Sequence, residues 1–321
     1  MHNVINNIID NSYEKILLDE MSLNIDELIA EASLQLEKSD KKRVVIVKVG
    51  EMFDVIVVNN ITKKLHERFS DKEFILLVND YRELDLDFKF IKSMAGWCIV
   101  LHHAEEHNGE NMESFRSIDN HQRKKLFISR NNKGKDHRRS WVDFLEKNNL
   151  KSKGHVSEGW NGIFLEDGID TVETLPDGRY PSRNDFSLLD FYNDSFCEVV
   201  LSSEYDITQS PYGAFDTEKE WRPFLCCVIP QIVIFNDYDS YLRDEGFDLF
   251  DDVIDTSFYK TNNLDNKFEI IKSNLEIIEN DLVVNDKFRD DIWLRVKSNQ
   301  NKLFSGWKDY FYKKIDELNI V

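Results

Sequence analysis

Residues 123–139 read Arg-Lys-Lys-Leu-Phe-Ile-Ser-Arg-Asn-Asn-Lys-Gly-Lys-Asp-His-Arg-Arg, and their order decides how the rest of the chain is parsed. Leu126-Phe127-Ile128 is a short apolar run suited to a buried strand, and Ser129 to Gly134 supplies turn residues. His137-Arg138-Arg139 then falls in the first turn of a helix that runs on through Trp141 to Lys147. Strand, turn and helix in that order open a β/α unit. The window holds eight Lys or Arg against one Asp, a local charge of +7 in a chain whose net charge is −19. A helix N-terminus furnished with guanidinium groups favours a phosphate or diphosphate, through the helix dipole and charge-assisted hydrogen bonds. A solvated basic loop is the bland reading of the same residues.

Toward the N-terminus, Lys41-Lys42-Arg43 leads into Val44-Val45-Ile46-Val47-Lys48-Val49, a β-branched run of the kind buried in a parallel sheet. Further strands are expected over Phe53–Val58, Phe74–Val78 and Trp97–Leu101, with a helix over Ile61–Phe69. Upstream, Ile16, Leu17, Met21, Leu23, Leu28, Ile29, Ala32, Leu34 and Leu36 recur at helical spacing and predict two amphipathic helices before the first strand. The polar, aperiodic segment 104–122 reads as a linker.

Beyond the basic window, residues 151–185 are rich in loop-forming Gly and Pro, followed by a strand at Phe196–Leu201 and a helix over Thr217–Cys227. A strand at Gln231–Phe235, a helix at Tyr238–Glu245 and further helices complete the chain. Phe288–Leu318, with Trp293, Trp307, Tyr310 and Phe311 at three-to-four spacing, predicts an aromatic-faced helix pair. The expectation is therefore an α/β protein: an N-terminal β/α domain over 1–120, a second over 121–287, and C-terminal helices over 288–321 packing back on the first domain. A ligand belongs in the cleft between the halves, at the carboxyl ends of the strands.

Length and composition bound the function. The 321 residues suffice for about two domains of roughly 150 residues. With 60 Asp and Glu against 41 Lys and Arg, a surface that coats nucleic acid is disfavoured, because phosphate backbones are bound by clustered cations. No apolar stretch is long enough for a membrane span, and Met1–Ser12 lacks an export signal, so a cytoplasmic protein is expected, in host cytoplasm if virus-encoded. The four cysteines, Cys98, Cys197, Cys226 and Cys227, lie in apolar runs without metal-site spacing and read as reduced core residues. Gly-x-Gly-x-x-Gly and Gly-x-Ser-x-Gly are both absent. Asp85-Leu86-Asp87 and Asp237-Tyr238-Asp239 carry Asp-x-Asp spacing, but so acidic a chain produces such spacings as solvated turns.

A second constellation is Ser202-Ser203-Glu204, followed by Asp216-Thr217-Glu218-Lys219 at the start of a helix. Capping and the helix dipole would account for Asp216, Thr217 and Glu218. At strand ends, the same carboxylates can accept ribose hydroxyls while a Lys neutralises phosphate.

These residues carry a resemblance. Phe215-Asp216-Thr217-Glu218-Lys219 with Trp221-Arg222-Pro223, then Pro230-Gln231-Ile232-Val233, then Tyr241 through Phe250 and Ile254-Asp255, resemble the C-terminal half of a glycosyltransferase group of phages and giant viruses. They are also similar to the donor-binding domain of the α-1,3-fucosyltransferases, and Phe127-Ile128-Ser129-Arg130 through His137-Arg138 is similar to the elements preceding that domain. The resemblance covers about residues 125–285. It implies a GT-B architecture, two Rossmann-like domains facing across a cleft, and a transferase that moves sugar from a UDP- or GDP-linked donor to a hydroxyl of a glycan, protein or small molecule. Arg130, Arg138 and Lys219 would hold the diphosphate in place of a metal; Glu204, Thr217 and Glu218 would hold ribose or sugar hydroxyls; no cofactor is expected. A general base would come from the first domain, with Glu51 ranked first and Asp80, His102 and His103 as alternatives at strand ends. Two other outcomes stay open: a hydroxymethylated base of viral DNA as acceptor, and a nucleotide-sugar-binding protein without catalysis.

Overall fold

A computed structural model describes residues 12–19, 24–49, 55–78, 85–92, 115, 117, 118, 123–163, 165, 189–202, 205, 216–282 and 285–317. The chain divides into two compact units. The first comprises Met1–Ile99, Asp206–Glu218 and Ser305–Val321; the second comprises Val100–Tyr205 and Lys219–Phe304. Each is built on its own parallel four-stranded sheet.

In the first unit the strands β1 (Tyr13–Asp19), β2 (Arg43–Val49), β3 (Glu73–Val78) and β4 (Lys89–Lys92) lie side by side in chain order. Helices α1 (Ile25–Lys38) and α2 (Val55–Arg68) connect the first three. Right-handed crossovers that all step the same way place both helices on one face. There Ile16, Leu18, Val44, Ile46, Phe74, Leu76 and Val78 meet Leu28, Ala32 and Leu36 of α1 and Val55, Val58, Ile61 and Leu65 of α2. Asn24 starts α1 with a capping box: its Oδ1 accepts from Glu27 N–H at 3.0 Å, and Glu27 Oε2 accepts from Asn24 N–H at 3.1 Å.

Two expectations are corrected here. Residues 13–19 form β1 instead of a helix, because Tyr13, Ile16 and Leu18 point into the sheet's buried faces while the chain pairs with β2. Val55–Val58, expected in a strand, opens α2: Val55, Val58, Ile61, Thr62 and Leu65 form one buried stripe at helical spacing, which overrides the β-branched preference. β4, four residues long, carried no signal of its own. The strand expected at Trp97–Leu101 lies outside the described residues.

In the second unit the sheet order is β6-β5-β7-β8, from β5 (Lys125–Ser129), β6 (Gly154–Val156), β7 (Ser195–Leu201) and β8 (Ile229–Val233). Helix α3 (Asp136–Lys147) joins β5 to β6, α4 (Leu189–Asn193) precedes β7, and α5 (Glu218–Leu225) joins β7 to β8. Helices α6 (Tyr238–Asp244), α7 (Leu264–Ile277) and α8 (Asp286–Glu317) follow. Trp141 of α3 packs on Phe268 of α7 at 5.0 Å between ring centroids, while Phe224 of α5 packs on Phe247 at 4.8 Å. The predicted C-terminal helix pair is one continuous helix of 32 residues. In its second-unit part, Ile292, Val296, Asn299, Gln300 and Leu303 make a single buried stripe, and Leu294 is 69% exposed on the opposite side. Phe115 and Ile118, within the polar stretch 104–122, are buried, and Gln300 Nε2 donates to Phe115 O at 2.9 Å.

Candidate functional site

Sheet order alone singles out one place in the second unit. From β5 the chain moves outward to β6, whereas from β7 it moves the other way to β8. With right-handed connections, α3 and α5 then leave from opposite faces, and the carboxyl ends of the neighbouring strands β5 and β7 form a topological switch point. The segment after β5 is the basic window, Arg130 to Arg139.

The local framework around that point is tightly bonded. Ser129 Oγ donates to Val199 O of β7 at 3.1 Å and accepts from Trp141 Nε1 at 3.1 Å, which ties the end of β5 to its neighbour and to α3. Asn131, fully buried, donates its N–H to Ser157 Oγ at 2.7 Å, and Gly159 N–H donates to Asn131 O at 3.1 Å. A Cβ on Gly159 would sit 2.1 Å from Asn132 O, so only glycine permits the loops after β5 and β6 to lie this close. Arg139 stacks over the Trp160 ring at 5.0 Å. The N-cap of α3, Lys135, makes no side-chain capping bond.

His137 and Arg138 turn toward β7. His137 Nε2 lies 2.9 Å from Ser202 O, and since a carbonyl only accepts, the ring carries its proton on Nε2. The ring packs against Tyr205 with centroids 4.7 Å apart. Burial, followed by the Arg138 charge, lowers the His137 pKa to about 4, so this side chain is neutral near pH 7. Arg138, 3% exposed, donates from Nε at 3.2 Å and from Nη2 at 3.0 Å to Leu201 O.

On the α5 side of β7, Glu198 and Arg222 form a buried ion pair, with Nη2 to Oε1 at 3.4 Å. Tyr192 and Cys226 stand beside it. Burial raises both well above their usual values, and the charges of Arg222 and Arg130 oppose the rise. Arg130 is thus close enough to Tyr192 and Cys226 for its charge to act on them.

Of the residues expected to bind a donor, Arg130, Arg138 and Lys219 belong to the second unit; Lys219 is half-buried on the first turn of α5. Thr217, buried just before α5, and Glu218, its first residue, are counted with the first unit. Glu204, Glu51, Asp80, His102 and His103 lie outside the described residues. The Asp-x-Asp spacings are engaged in ion pairs: Lys260 Nζ meets Asp237 at 2.8 Å and Asp239 at 2.9 Å, and Lys63 Nζ meets Asp87 at 2.7 Å. Among the described residues no group of three or more His, Cys, Asp or Glu is arranged to hold a metal ion, and no helix is long and apolar enough to cross a membrane.

Compared with family models, curated proteins and solved structures, the chain matches none.

The buried side of this site was not read from the sequence. Glu198 sits mid-strand between Cys197 and Val199, and a carboxylate there requires a cation from a packed helix, which Arg222 supplies. That requirement was available as a signal. The bonds of His137 and Arg138 to Ser202 O and Leu201 O had none, because they depend on strand order.

Proposed function

We propose that the protein is a glycosyltransferase of GT-B type, which transfers a sugar from a UDP- or GDP-linked donor to a hydroxyl of a glycan, protein or small molecule. The observation that carries this reading is the position of the basic segment Arg130–Arg139 after β5, at the switch point with β7. Carboxyl ends of strands at such a point are where α/β sheets take nucleotides, and cations at a helix N-terminus suit a diphosphate.

In this reading Arg130 and Lys219 neutralise charge as the sugar-oxygen bond to the diphosphate breaks, so the leaving group is stabilised by the chain's own cations. The start of α3 adds backbone dipoles to the same task. Glu204, Thr217 and Glu218 hold ribose or sugar hydroxyls. The acceptor hydroxyl passes its proton to Glu51 or His103 as its oxygen bonds to the sugar carbon. No metal takes part in this scheme.

A thermal-shift screen against UDP-, GDP-, TDP- and CMP-linked sugars in EDTA tests it. A ligand at a hundred times its Kd stabilises by about 2.7 kcal/mol, which several degrees of shift would report. Arg130→Gln and Lys219→Gln should each reduce that shift, measured from each variant's own unliganded Tm. A folded protein that responds to none of these donors overturns the proposal.

A further inference from the structure

We propose that His137 and Arg138 are positioning residues, a clamp on the carboxyl end of β7 that sets where the chain leaves the sheet toward α5. The functional consequence rests on the donor-binding reading above; the clamp itself does not. Three donors from one helical turn meet two consecutive carbonyls: Arg138 Nε and Nη2 on Leu201 O at 3.2 and 3.0 Å, and His137 Nε2 on Ser202 O at 2.9 Å. Arg138 Nη1 also reaches Lys133 O at 3.5 Å, so the guanidinium ties the loop after β5 to the strand end. Both side chains are buried, and buried hydrogen bonds from a charged donor are among the stronger ones.

The clamp changes the part given to Arg138. The ring of Tyr205, three residues past Ser202, is fixed against His137 at 4.7 Å. Arg138 then acts on a donor through the path of the chain. A point charge would serve a diphosphate equally well from a Lys, whereas two donors on one carbonyl require the guanidinium fork.

The side-chain chemistry supplies a clean separation of these roles. Gln carries an amide nitrogen at the same number of bonds from Cα as Arg Nε, so Arg138→Gln keeps a donor for Leu201 O and removes the charge. Arg138→Met removes both. The reporter is the Ser202 amide, which donates to Val233 O of β8 at 3.0 Å. Hydrogen exchange in the ligand-free protein, referenced to Phe127 in β5 for any loss of global stability, should show Ser202 exchanging on the order of tenfold faster in Arg138→Met and close to wild type in Arg138→Gln. His137→Ala should accelerate it as well, with His137→Gln restoring protection. UDP and GDP titrated into the same variants should lose about tenfold in affinity with Arg138→Met and within about threefold with Arg138→Gln. Unchanged exchange in both Arg138→Met and His137→Ala overturns the clamp. Restored exchange with affinity still lost in Arg138→Gln upholds the clamp and overturns its part in donor binding, in favour of a charge acting on the diphosphate. If wild type binds neither nucleotide, the donor reading fails and the exchange arm alone decides the clamp.

Discussion

Lys267 of α7 is 1% exposed, with Nζ donating to Phe258 O at 2.8 Å and to Ile234 O, just past β8, at 3.2 Å. Burial lowers its pKa from 10.5 to about 8, partly offset by the charge of Asp239. The unfolded chain therefore holds this proton across pH 8 to 10.5, where the folded chain has released it. More protons bound by the unfolded state means that stability rises with pH through this window, with a slope of at most about 1.4 kcal/mol per pH unit. The depression corresponds to a total of about 3 kcal/mol. Lys267→Met removes the titration and leaves two carbonyls without their donor, at about 1–3 kcal/mol each. Near pH 7.5 these losses are opposed by relief of the buried charge, so the variant should differ little from wild type. Urea unfolding followed by tryptophan fluorescence at pH 7.5, 8.5, 9.5 and 10 should show wild type gaining about 2–3 kcal/mol over the variant, since other titrating groups cancel in the difference. A difference constant across that range would refute the reasoning.

Gly159→Ala should lower stability by about 1–3 kcal/mol, read as a fall in Tm, because the new Cβ meets Asn132 O at 2.1 Å; an unchanged Tm would mean that these loops are not in contact. Arg222→Met strands Glu198 in the core and should cost about 3–5 kcal/mol in urea unfolding, with much of it recovered in Glu198→Gln/Arg222→Met; equal losses in single and double variants would count against the pair. Burial pushes the thiol of Cys197 up to about 12 and that of Cys227 up to about 11, and raises Cys226 well above its usual value. Iodoacetamide at pH 8 should leave all three unmodified by mass spectrometry until urea is added, and labelling of the native protein at any of them would show that its thiol is reached.

How far the sequence carries can be traced residue by residue. Val44–Val47 and Phe74–Val78 are continuous apolar runs and read correctly as parts of β2 and β3, because a strand buried on both faces has no competing period. Tyr13–Asp19 and Val55–Val58 were exchanged in kind: the first mixes charged and apolar residues as an amphipathic helix does, and the second is β-branched although it opens a helix. Their true assignments depend on tertiary partners. Gly154–Val156 is too short to show any period, yet its place beside β5 creates the switch point. The basic window was legible as charge; which of its residues bond to β7 was not, since that contact joins positions more than 60 residues apart.

The central claim is that a nucleoside diphosphate binds at the carboxyl ends of β5 and β7. Hydrogen exchange with and without saturating UDP or GDP in EDTA tests it most directly. The account predicts ligand-dependent protection in peptides covering Arg130–Trp141 and Leu201–Tyr205, weakened in Arg130→Gln. Binding that protects other segments while leaving these two unchanged would contradict it.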